Sequence, residues 1–134
     1  MDPIKVTCAI IQFGEKILVV QRSAHMRLPL KWEFPGGKVE AGESEEACIL
    51  REIREELNID IELVARHTPV RFDYPDFSIL LIPFTANYLR GTIKLSEHKQ
   101  YLLLEKARLS ALDWAEADLP VLEAFLLSEG HERK

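Results

Sequence analysis

The sequence predicts a single α/β (α+β) domain in which a β-sheet packs against α-helices. Its 134 residues suit one domain around one hydrophobic core. Runs rich in β-branched residues and runs with helical periodicity follow in the order strands, helix, strands, helix. The chain has no internal repeat and no low-complexity linker. Periodicity alone leaves two arrangements open, an α+β domain and a sandwich-like α/β/α domain.

The first third of the chain predicts a β-hairpin followed by a loop and a short strand. Residues 5–11 and 16–21 are rich in β-branched residues, and the glycine-containing turn between them is typical of a hairpin. Residues 23–30 lack periodicity and contain a proline, so we expect a loop there. A short strand at residues 32–34 should end at the Pro-Gly-Gly sequence of residues 35–37.

The next segment predicts an α-helix that starts after Ser44, a residue type that caps helix N-termini, and ends near Asn58. Apolar residues recur there at spacings of three or four and define one stripe that should face the core. The residues assigned to this stripe are Ala47, Leu50, Ile53 and Leu57.

The remainder of the chain predicts more sheet and a terminal helix. Asp118 precedes a Leu-Pro sequence, which is typical of the first turn of a helix. Residues 1–134 should form one domain, and within it residues 128–134 should form a frayed tail. Strands are predicted at residues 59–64, 70–74, 77–88 and 101–104.

Composition and charge exclude several classes of function. Hydrophobic residues make up 47% and charged residues 29%, which is ordinary for a globular protein. The net charge is −5, and no dense run of Lys and Arg could follow a nucleic-acid backbone, so we expect no polymeric partner. No run reaches membrane-spanning length and no secretion signal is visible, so we expect a cytoplasmic protein with no membrane contact. Cys8 and Cys48 should be buried, reduced thiols.

Three carboxylates converge on the predicted helix. At 100° per residue, Glu52, Glu55 and Glu56 fall on one face. Taken alone, this pattern favours a solvated acidic face with flanking arginines over a site for a divalent cation. The helix by itself does not decide between these interpretations.

The residues around the helix resemble a known motif. Gly37 is followed after five residues by Glu43, and after seven more by the sequence of residues 51–59, Arg-Glu-Ile-Arg-Glu-Glu-Leu-Asn-Ile. This pattern resembles the Nudix box, the loop-helix-loop motif of Nudix hydrolases. Asn58 stands where the motif has a glycine, and Asn is the usual second choice for a left-handed backbone conformation at a helix end.

The resemblance implies a Nudix fold, which is a mixed β-sheet sandwiched between α-helices, and hydrolysis of a nucleoside diphosphate linked to another group. It implies Mg²⁺, with Mn²⁺ as an alternative, because carboxylate oxygens suit these ions. Arg51 is expected to orient the acidic groups, with Glu43 as a candidate partner. Glu97, in a later loop, is expected to act as a further metal ligand or a base, although it could also be an exposed loop carboxylate. The implied metal ligands are the Gly36 carbonyl, Glu52, Glu55, Glu56 and Glu97.

Residues 18–22, 32–38 and 114–118 resemble segments of MutT-type triphosphate pyrophosphohydrolases, and among these the chain looks most like the CTP pyrophosphohydrolase subgroup. This resemblance implies a substrate pocket. Arg22 and Lys38 should lie near the phosphates or the nucleoside, unless they are surface cations. Phe34 could stack on the base or belong to the core. Asp118 should read the base or simply cap the last helix. The implied substrate-binding residues are Arg22, Phe34, Gly37, Lys38, Asp118 and, more weakly, Arg71.

The predicted reaction is Mg²⁺-dependent conversion of a nucleoside triphosphate to a monophosphate and pyrophosphate, with CTP, dCTP or a modified pyrimidine nucleotide as substrate. One alternative is an 8-oxo-dGTP diphosphatase, which would remove an oxidised nucleotide. Another is a Nudix-fold sensor that binds a nucleotide without hydrolysing it, although such a protein should lack one or more of the motif's glutamates. We expect a monomer or homodimer that binds a small-molecule nucleotide.

Overall fold

The computed structural model describes residues 2–132, with side chains as far as residue 128. This part of the chain forms eight β-strands, two α-helices and a short 3-10 helix. In chain order these are β1 Ile4–Phe13, β2 Lys16–Gln21, β3 Trp32–Glu33, β4 Gly36–Lys38, α1 Glu45–Leu57, β5 Asp60–Arg66, β6 Val70–Tyr74, β7 Phe77–Arg90, β8 Gln100–Glu105, the 3-10 helix Lys106–Ala111 and α2 Asp118–Glu132.

The strands form one mixed sheet with β1 and β7 at its centre. These two long strands are parallel and stay paired from Ile4 with Ile79 to Gln12 with Asn87. All other pairings are antiparallel: β2 and β4 pair with β1, β5 and β6 pair with β7, and β3 and β8 pair with β2. The predicted hairpin is confirmed as β1 and β2, which are joined by a turn at residues 14–15.

The hydrophobic core has two parts, one on each face of the sheet. Alternate residues of a strand point to opposite faces, so Cys8 and Ile10 of β1 pack with the α2 side chains, including Phe125. Ala9 and Ile11 pack on the other face with the α1 side chains. The sheet is therefore sandwiched between the two helices, which selects the α/β/α arrangement that periodicity left open and confirms the predicted fold class.

Helix α1 begins and ends as predicted. The Ala47 amide donates to Ser44 Oγ at 3.0 Å, and this hydrogen bond caps the N-terminus. Asn58 has φ 62° and ψ 31°, which is the left-handed conformation that a glycine usually supplies at this position. Asn58 thus takes the place of that glycine at the end of α1.

The predicted apolar stripe of α1 is wrong in part. Leu50 is 43% exposed, and Ala47 is exposed as well. The sheet instead buries Ile49, which lies four residues before Ile53 and therefore on the same side of the helix. Glu56 follows Ile49 by two helical turns, so this glutamate also projects from the sheet-facing side.

The structure adds elements that the sequence did not predict. The turn predicted at residues 35–37 is wrong in part, because residues 36–38 form β4 and pair with β1. A Cβ atom on Gly36 would lie 1.9 Å from the Thr7 carbonyl oxygen, so only glycine permits this pairing. The 3-10 helix at Lys106–Ala111 was also missed. Helix α2 continues to Glu132, past the point where a tail was expected, and residues 133–134 lie outside the described residues.

Two further features of the structure are the state of the cysteines and the character of the helices. Cys8 and Cys48 are free, buried thiols, as predicted. None of the helices in residues 2–132 combines the length and the apolar character that a membrane crossing requires.

Candidate active site

A cavity of about 380 Å³ opens beside β4 and contains most of the predicted substrate residues. Its wall combines Glu56 of α1 with Asp118 of α2, although these residues are far apart in sequence. The volume lies within the usual range for small-molecule sites, about 300–1,000 Å³. The polar and aromatic lining residues include Arg22, Glu33, Phe34, Lys38, Tyr74 and Phe77, together with Gly36 and Gly37.

Arg51 connects the acidic side chains of α1 to the loop before it. Its Nε and Nη2 atoms donate to the two carboxylate oxygens of Glu43, at 2.7 and 3.0 Å. Its Nη1 atom donates to Glu52 at 2.9 Å and to Glu55 at 3.0 Å. These hydrogen bonds lower the pKa of Glu43 to about 2 and raise the pKa of Arg51. The guanidinium therefore fixes the positions of three carboxylates.

Gly37 provides room for the first glutamate of the motif. A Cβ atom at this position would lie 2.2 Å from Glu52 Cδ and 2.3 Å from its Oε1. Glu52 therefore packs directly on the bare backbone of β4, and any larger residue at 37 would displace the carboxylate. Burial raises the pKa of Glu52, and the hydrogen bond from Arg51 opposes that rise.

Glu56 is the most perturbed carboxylate of the helix. Burial, followed by the charges of Glu52, Glu33 and Glu97, raises the pKa of Glu56 to about 8. A hydrogen bond from the Gly36 backbone opposes the shift. The Oε1 atom of Glu56 is buried and has no hydrogen-bond partner among the described residues. An ionised carboxylate in such a place needs a compensating positive charge.

These oxygen donors fit a divalent cation such as Mg²⁺, which binds carboxylate and carbonyl oxygens. Among residues 2–132, no three His, Cys, Asp or Glu side chains already form a group that could hold a metal ion. In the metal-free protein, Arg51 is the hydrogen-bond donor to Glu52 and Glu55. The buried Glu56 oxygen that has no hydrogen-bond partner among the described residues is the main evidence that this site suits a divalent cation.

Glu97 lies in the loop between β7 and β8, and its side chain is exposed. The structure brings it close enough for its charge to raise the pKa of Glu56. The backbone also connects the two segments, because the Ser96 amide donates to the Glu56 carbonyl at 3.1 Å. The predicted metal helix and the predicted loop glutamate therefore belong to one region of the molecule.

Asp118, the first residue of α2, is only 6% exposed. Its Oδ2 atom accepts a hydrogen bond of 2.9 Å from the Phe34 amide, so the carboxyl group contacts the connection between β3 and β4. Burial first, and then the charge of Glu33, raises the pKa of Asp118 well above its usual range. The side chain also lines the cavity, and capping of α2 does not account for these contacts.

The other predicted substrate residues have different environments. Phe34 is 3% exposed and packs on Trp114 with 4.8 Å between ring centroids, so it belongs to the core while also lining the cavity. Arg22 forms an ion pair of 3.0 Å with Glu33 on the cavity wall. Lys38 is an exposed residue of the same wall. Arg71 is exposed and paired with Asp73 at 3.2 Å, and the structure does not bring it to the cavity wall.

Sequence reasoning missed Glu33 and treated His98 as an ordinary polar residue. Glu33 accepts hydrogen bonds from Arg22, and its second oxygen lies 2.8 Å from His98 Nε2. The two residues are separated by 65 positions in the chain, and no local spacing connects them. Because side chains alternate between the two faces of a strand, the sequence of β3 could show that Glu33 lies on the face opposite to Trp32, but not which residue it contacts.

Comparison with known proteins decides the family. A family model described as NUDIX domain matches residues 1–125, which is nearly the whole chain. The chain belongs to the Nudix hydrolase family. The predicted family and enzyme class are therefore confirmed. Nudix hydrolases generally use divalent metal ions, commonly Mg²⁺, in agreement with the carboxylates of α1.

Named relatives support the predicted similarity to MutT-type enzymes. This Nudix hydrolase is 36% identical over 129 residues to the CTP pyrophosphohydrolase of Escherichia coli (strain K12), with 94% of this chain and 93% of the relative covered. It is 34% identical over 119 residues to the putative 8-oxo-dGTP diphosphatase 2 of Mycobacterium tuberculosis (strain CDC 1551 / Oshkosh), with 88% and 84% covered. The crystal structure of a MutT protein from Methanosarcina mazei Go1 superimposes with a TM-score of 0.85 at 26% identity, covering 96% of both chains.

Proposed function

We propose that this Nudix hydrolase is a Mg²⁺-dependent nucleoside triphosphate pyrophosphohydrolase that converts CTP, dCTP or a modified pyrimidine nucleotide to the monophosphate and pyrophosphate. The observation that carries the proposal is the composition of the cavity wall. One cavity of about 380 Å³ contains both the buried carboxylate of Glu56, suited to a cation, and the buried carboxyl group of Asp118, suited to a base.

The chain's own residues have separate tasks in this reaction. The Gly36 carbonyl and the carboxylates of Glu52, Glu55, Glu56 and Glu97 are the donors proposed to hold the cation. When bound, Mg²⁺ or Mn²⁺ supplies positive charge to phosphate oxygens and lowers the pKa of water. Arg51 keeps the carboxylates in place through the hydrogen bonds described above.

Hydrolysis requires that a water oxygen bond to the α- or the β-phosphorus while the P–O bond that joins these two phosphates breaks, which gives the monophosphate and pyrophosphate. The exposed carboxylate of Glu97 is suited to take the proton of that water, because it faces solvent in the loop beside Glu56. Arg22 and Lys38 on the cavity wall can pair with the negative charge of the triphosphate. Among the described residues, neither Arg22 nor Lys38 hydrogen-bonds to a carboxylate of α1. Both side chains can therefore contact the substrate without occupying the proposed metal ligands.

Recognition of the base is assigned to Asp118 and Phe34. When ionised, Asp118 can accept a hydrogen bond from the exocyclic amino group of cytosine; when protonated, it can both donate and accept hydrogen bonds. Phe34 contributes an aromatic side to the cavity, although its packing on Trp114 limits how much of the ring is available. The similarity to a protein named CTP pyrophosphohydrolase supports cytosine as the base.

An 8-oxo-dGTP diphosphatase is the second candidate, and one observation favours it. Burial raises the pKa of Asp118, so the protonated form becomes available at higher pH than for an ordinary aspartate. Such a carboxyl group offers both a donor and an acceptor, so recognition is not limited to a base that presents an amino group to it. A relative at 34% identity bears the name putative 8-oxo-dGTP diphosphatase 2.

A substrate panel tests the proposal. The protein is incubated with Mg²⁺ and equal concentrations of normal and oxidised nucleoside triphosphates, 5-substituted cytosine nucleotides, nucleotide sugars and dinucleoside polyphosphates. The products are separated by ion-exchange chromatography. We expect the highest kcat/KM for a cytosine nucleotide, with monophosphate and pyrophosphate as products. A higher kcat/KM for 8-oxo-dGTP would select the second candidate, and release of orthophosphate as the first product would contradict both.

The setting of the reaction is part of the same proposal. We expect the enzyme to act in the cytoplasm on free nucleotides as a monomer or homodimer. Light scattering coupled to size-exclusion chromatography, with and without nucleotide, measures the number of chains per particle. A particle larger than a dimer would contradict the expectation.

A further inference from the structure

His98 is a buried histidine that the cavity does not use directly. Its side chain is 2% exposed, and it is absent from the cavity wall. Its Nε2 atom lies 2.8 Å from Glu33 Oε2, where an N–H donates to the carboxylate. Its Nδ1 atom is buried and has no hydrogen-bond partner among the described residues. Because an apolar residue would avoid this unsatisfied atom, packing alone does not explain a histidine here.

The acceptor of this hydrogen bond is itself held in place. Arg22 Nη1 donates to both oxygens of Glu33, at 3.0 and 3.2 Å. Glu33 also pairs with β2 through the backbone of β3, in register with Val20. The imidazole of His98 is therefore tied to a fixed point on the cavity wall rather than to a mobile surface side chain.

The residue before His98 is Glu97, the loop carboxylate to which the proposed function assigns proton transfer or metal binding. The loop is held on one side by the Ser96 amide, which donates to the Glu56 carbonyl at 3.1 Å. On the other side the Lys99 amide donates to the Gln21 carbonyl at 2.9 Å. The only side-chain anchor that we find between those two backbone hydrogen bonds, within the described residues, is the one from His98 to Glu33.

We propose that His98 is a positioning residue for Glu97. By donating a hydrogen bond to Glu33, His98 fixes the backbone of the loop that carries Glu97. The Glu97 carboxylate then stays close to Glu56, and the loop stays attached to the cavity wall. The inference rests on the function proposed above for Glu97. It concerns hydrogen-bond geometry and assigns no contact between His98 and the substrate.

Two amide substitutions separate positioning from packing. In place of His98, a glutamine can put its Nε2 donor close to the position of the imidazole Nε2, whereas an asparagine is one methylene shorter and cannot reach Glu33. His98→Asn should lower kcat by about tenfold with little change in KM, because small displacements of catalytic groups have large effects on rate. His98→Gln should recover most of that kcat.

A double-mutant cycle shows whether His98 acts through Glu97. Glu97→Gln, His98→Asn and the double variant are compared at saturating nucleotide and Mg²⁺. If His98 acts by positioning Glu97, the double variant is no slower than Glu97→Gln, because the group being positioned is already lost. Independent multiplication of the two effects would overturn the inference while leaving the proposed role of Glu97 intact.

A readout without activity completes the test. In the metal-free protein, backbone amides of residues 94–99 should exchange hydrogen faster in His98→Asn than in the wild type, and at the wild-type rate in His98→Gln. Equal exchange in all three proteins would overturn the inference. An unchanged kcat in Glu97→Gln would refute the catalytic role of Glu97, and the inference with it. Faster exchange in His98→Asn would then show that His98 still holds the loop, so failure of the proposed function can be distinguished from failure of the positioning contact.

His67 offers a matched control. Its Nε2 atom lies 3.1 Å from Thr85 Oγ1, and it lines a second cavity of about 300 Å³ that shares no residue with the first. His67→Asn should lose a comparable side-chain hydrogen bond, so its thermal stability can be compared directly with that of His98→Asn. We expect kcat and the exchange of residues 94–99 to stay at wild-type values. An equal fall of kcat in both variants would show a general loss of folded protein and would overturn the assignment to His98.

Discussion

Replacement of Glu56 by glutamine should stabilise the metal-free protein at alkaline pH. The surroundings of Glu56 raise its pKa from 4.5 to about 8. Between those values the folded protein keeps a proton that the unfolded chain has released, so the free energy of unfolding falls as pH rises. At about 1.36 kcal/mol per pH unit, the rise corresponds to roughly 5 kcal/mol. Because side chains and solvent relax around a new charge, we expect about 2–3 kcal/mol at about pH 8.5.

Urea unfolding in the presence of EDTA measures this effect. Trp32 and Trp114 are both buried, so their fluorescence should change on unfolding. Wild-type protein should lose stability between about pH 5 and pH 8.5, whereas Glu56→Gln should lose much less over that range. Glu55→Gln is the matched control, because the side chain of Glu55 is 61% exposed on the same helix. It should follow the wild-type curve.

Addition of Mg²⁺ provides the second half of the experiment. A cation that binds the folded carboxylates should restore stability to the wild-type protein at alkaline pH by mass action, and it should restore less in Glu56→Gln. Parallel curves for wild type and Glu56→Gln over the whole pH range in EDTA would refute the reasoning, since they would show that Glu56 carries no unfavourable charge in the folded protein.

Four further substitutions should affect catalysis, each measured by steady-state kinetics with Mg²⁺. Glu55→Gln should lower kcat by about 100-fold or more with the fold intact, and wild-type kcat would contradict its role as a ligand. Glu97→Gln should lower kcat more than it raises KM, whereas an ordinary loop carboxylate would leave both unchanged. Asp118→Asn should reduce kcat/KM for cytosine nucleotides about tenfold, a loss of about 1.4 kcal/mol, and an equal change for every base would show that Asp118 does not select it. Gly37→Ala should lower kcat because its Cβ would meet the Glu52 carboxylate at 2.2 Å; an unchanged kcat would show that the loop can yield.

The elements that the sequence predicted well are those with local signals. The β1–β2 hairpin follows from two β-branched runs and a glycine-containing turn, and α1 follows from the Ser44 cap and the left-handed conformation of Asn58. In each case, interactions between residues that are close in sequence cause the element to form. The Nudix box could likewise be read as a pattern, because its spacing lies within one continuous segment.

The elements that the sequence did not predict depend on distant contacts. β4 is a strand because Gly36 lies against Thr7, which is a neighbour in the sheet and not in the sequence. Leu50 was assigned to the core because its spacing fitted the stripe, yet the sheet selects the side of α1 that carries Ile49. The contact of Glu33 with His98 could not be read from local spacing for the same reason.

The two halves of the cavity come from separate parts of the chain. The carboxylates suited to a cation belong to α1 and pack on β4, whereas the group suited to a base stands at the start of α2, 84 positions from its partner in the β3–β4 connection. Under the proposed assignments, mutations at one segment would alter the choice of nucleotide and leave the carboxylates of α1 unchanged. Glu33 is the exception, because its charge raises the pKa of both Glu56 and Asp118. Under the same assignments, a substitution at that single position would change the charge state of the group proposed to hold the cation and of the group proposed to contact the base.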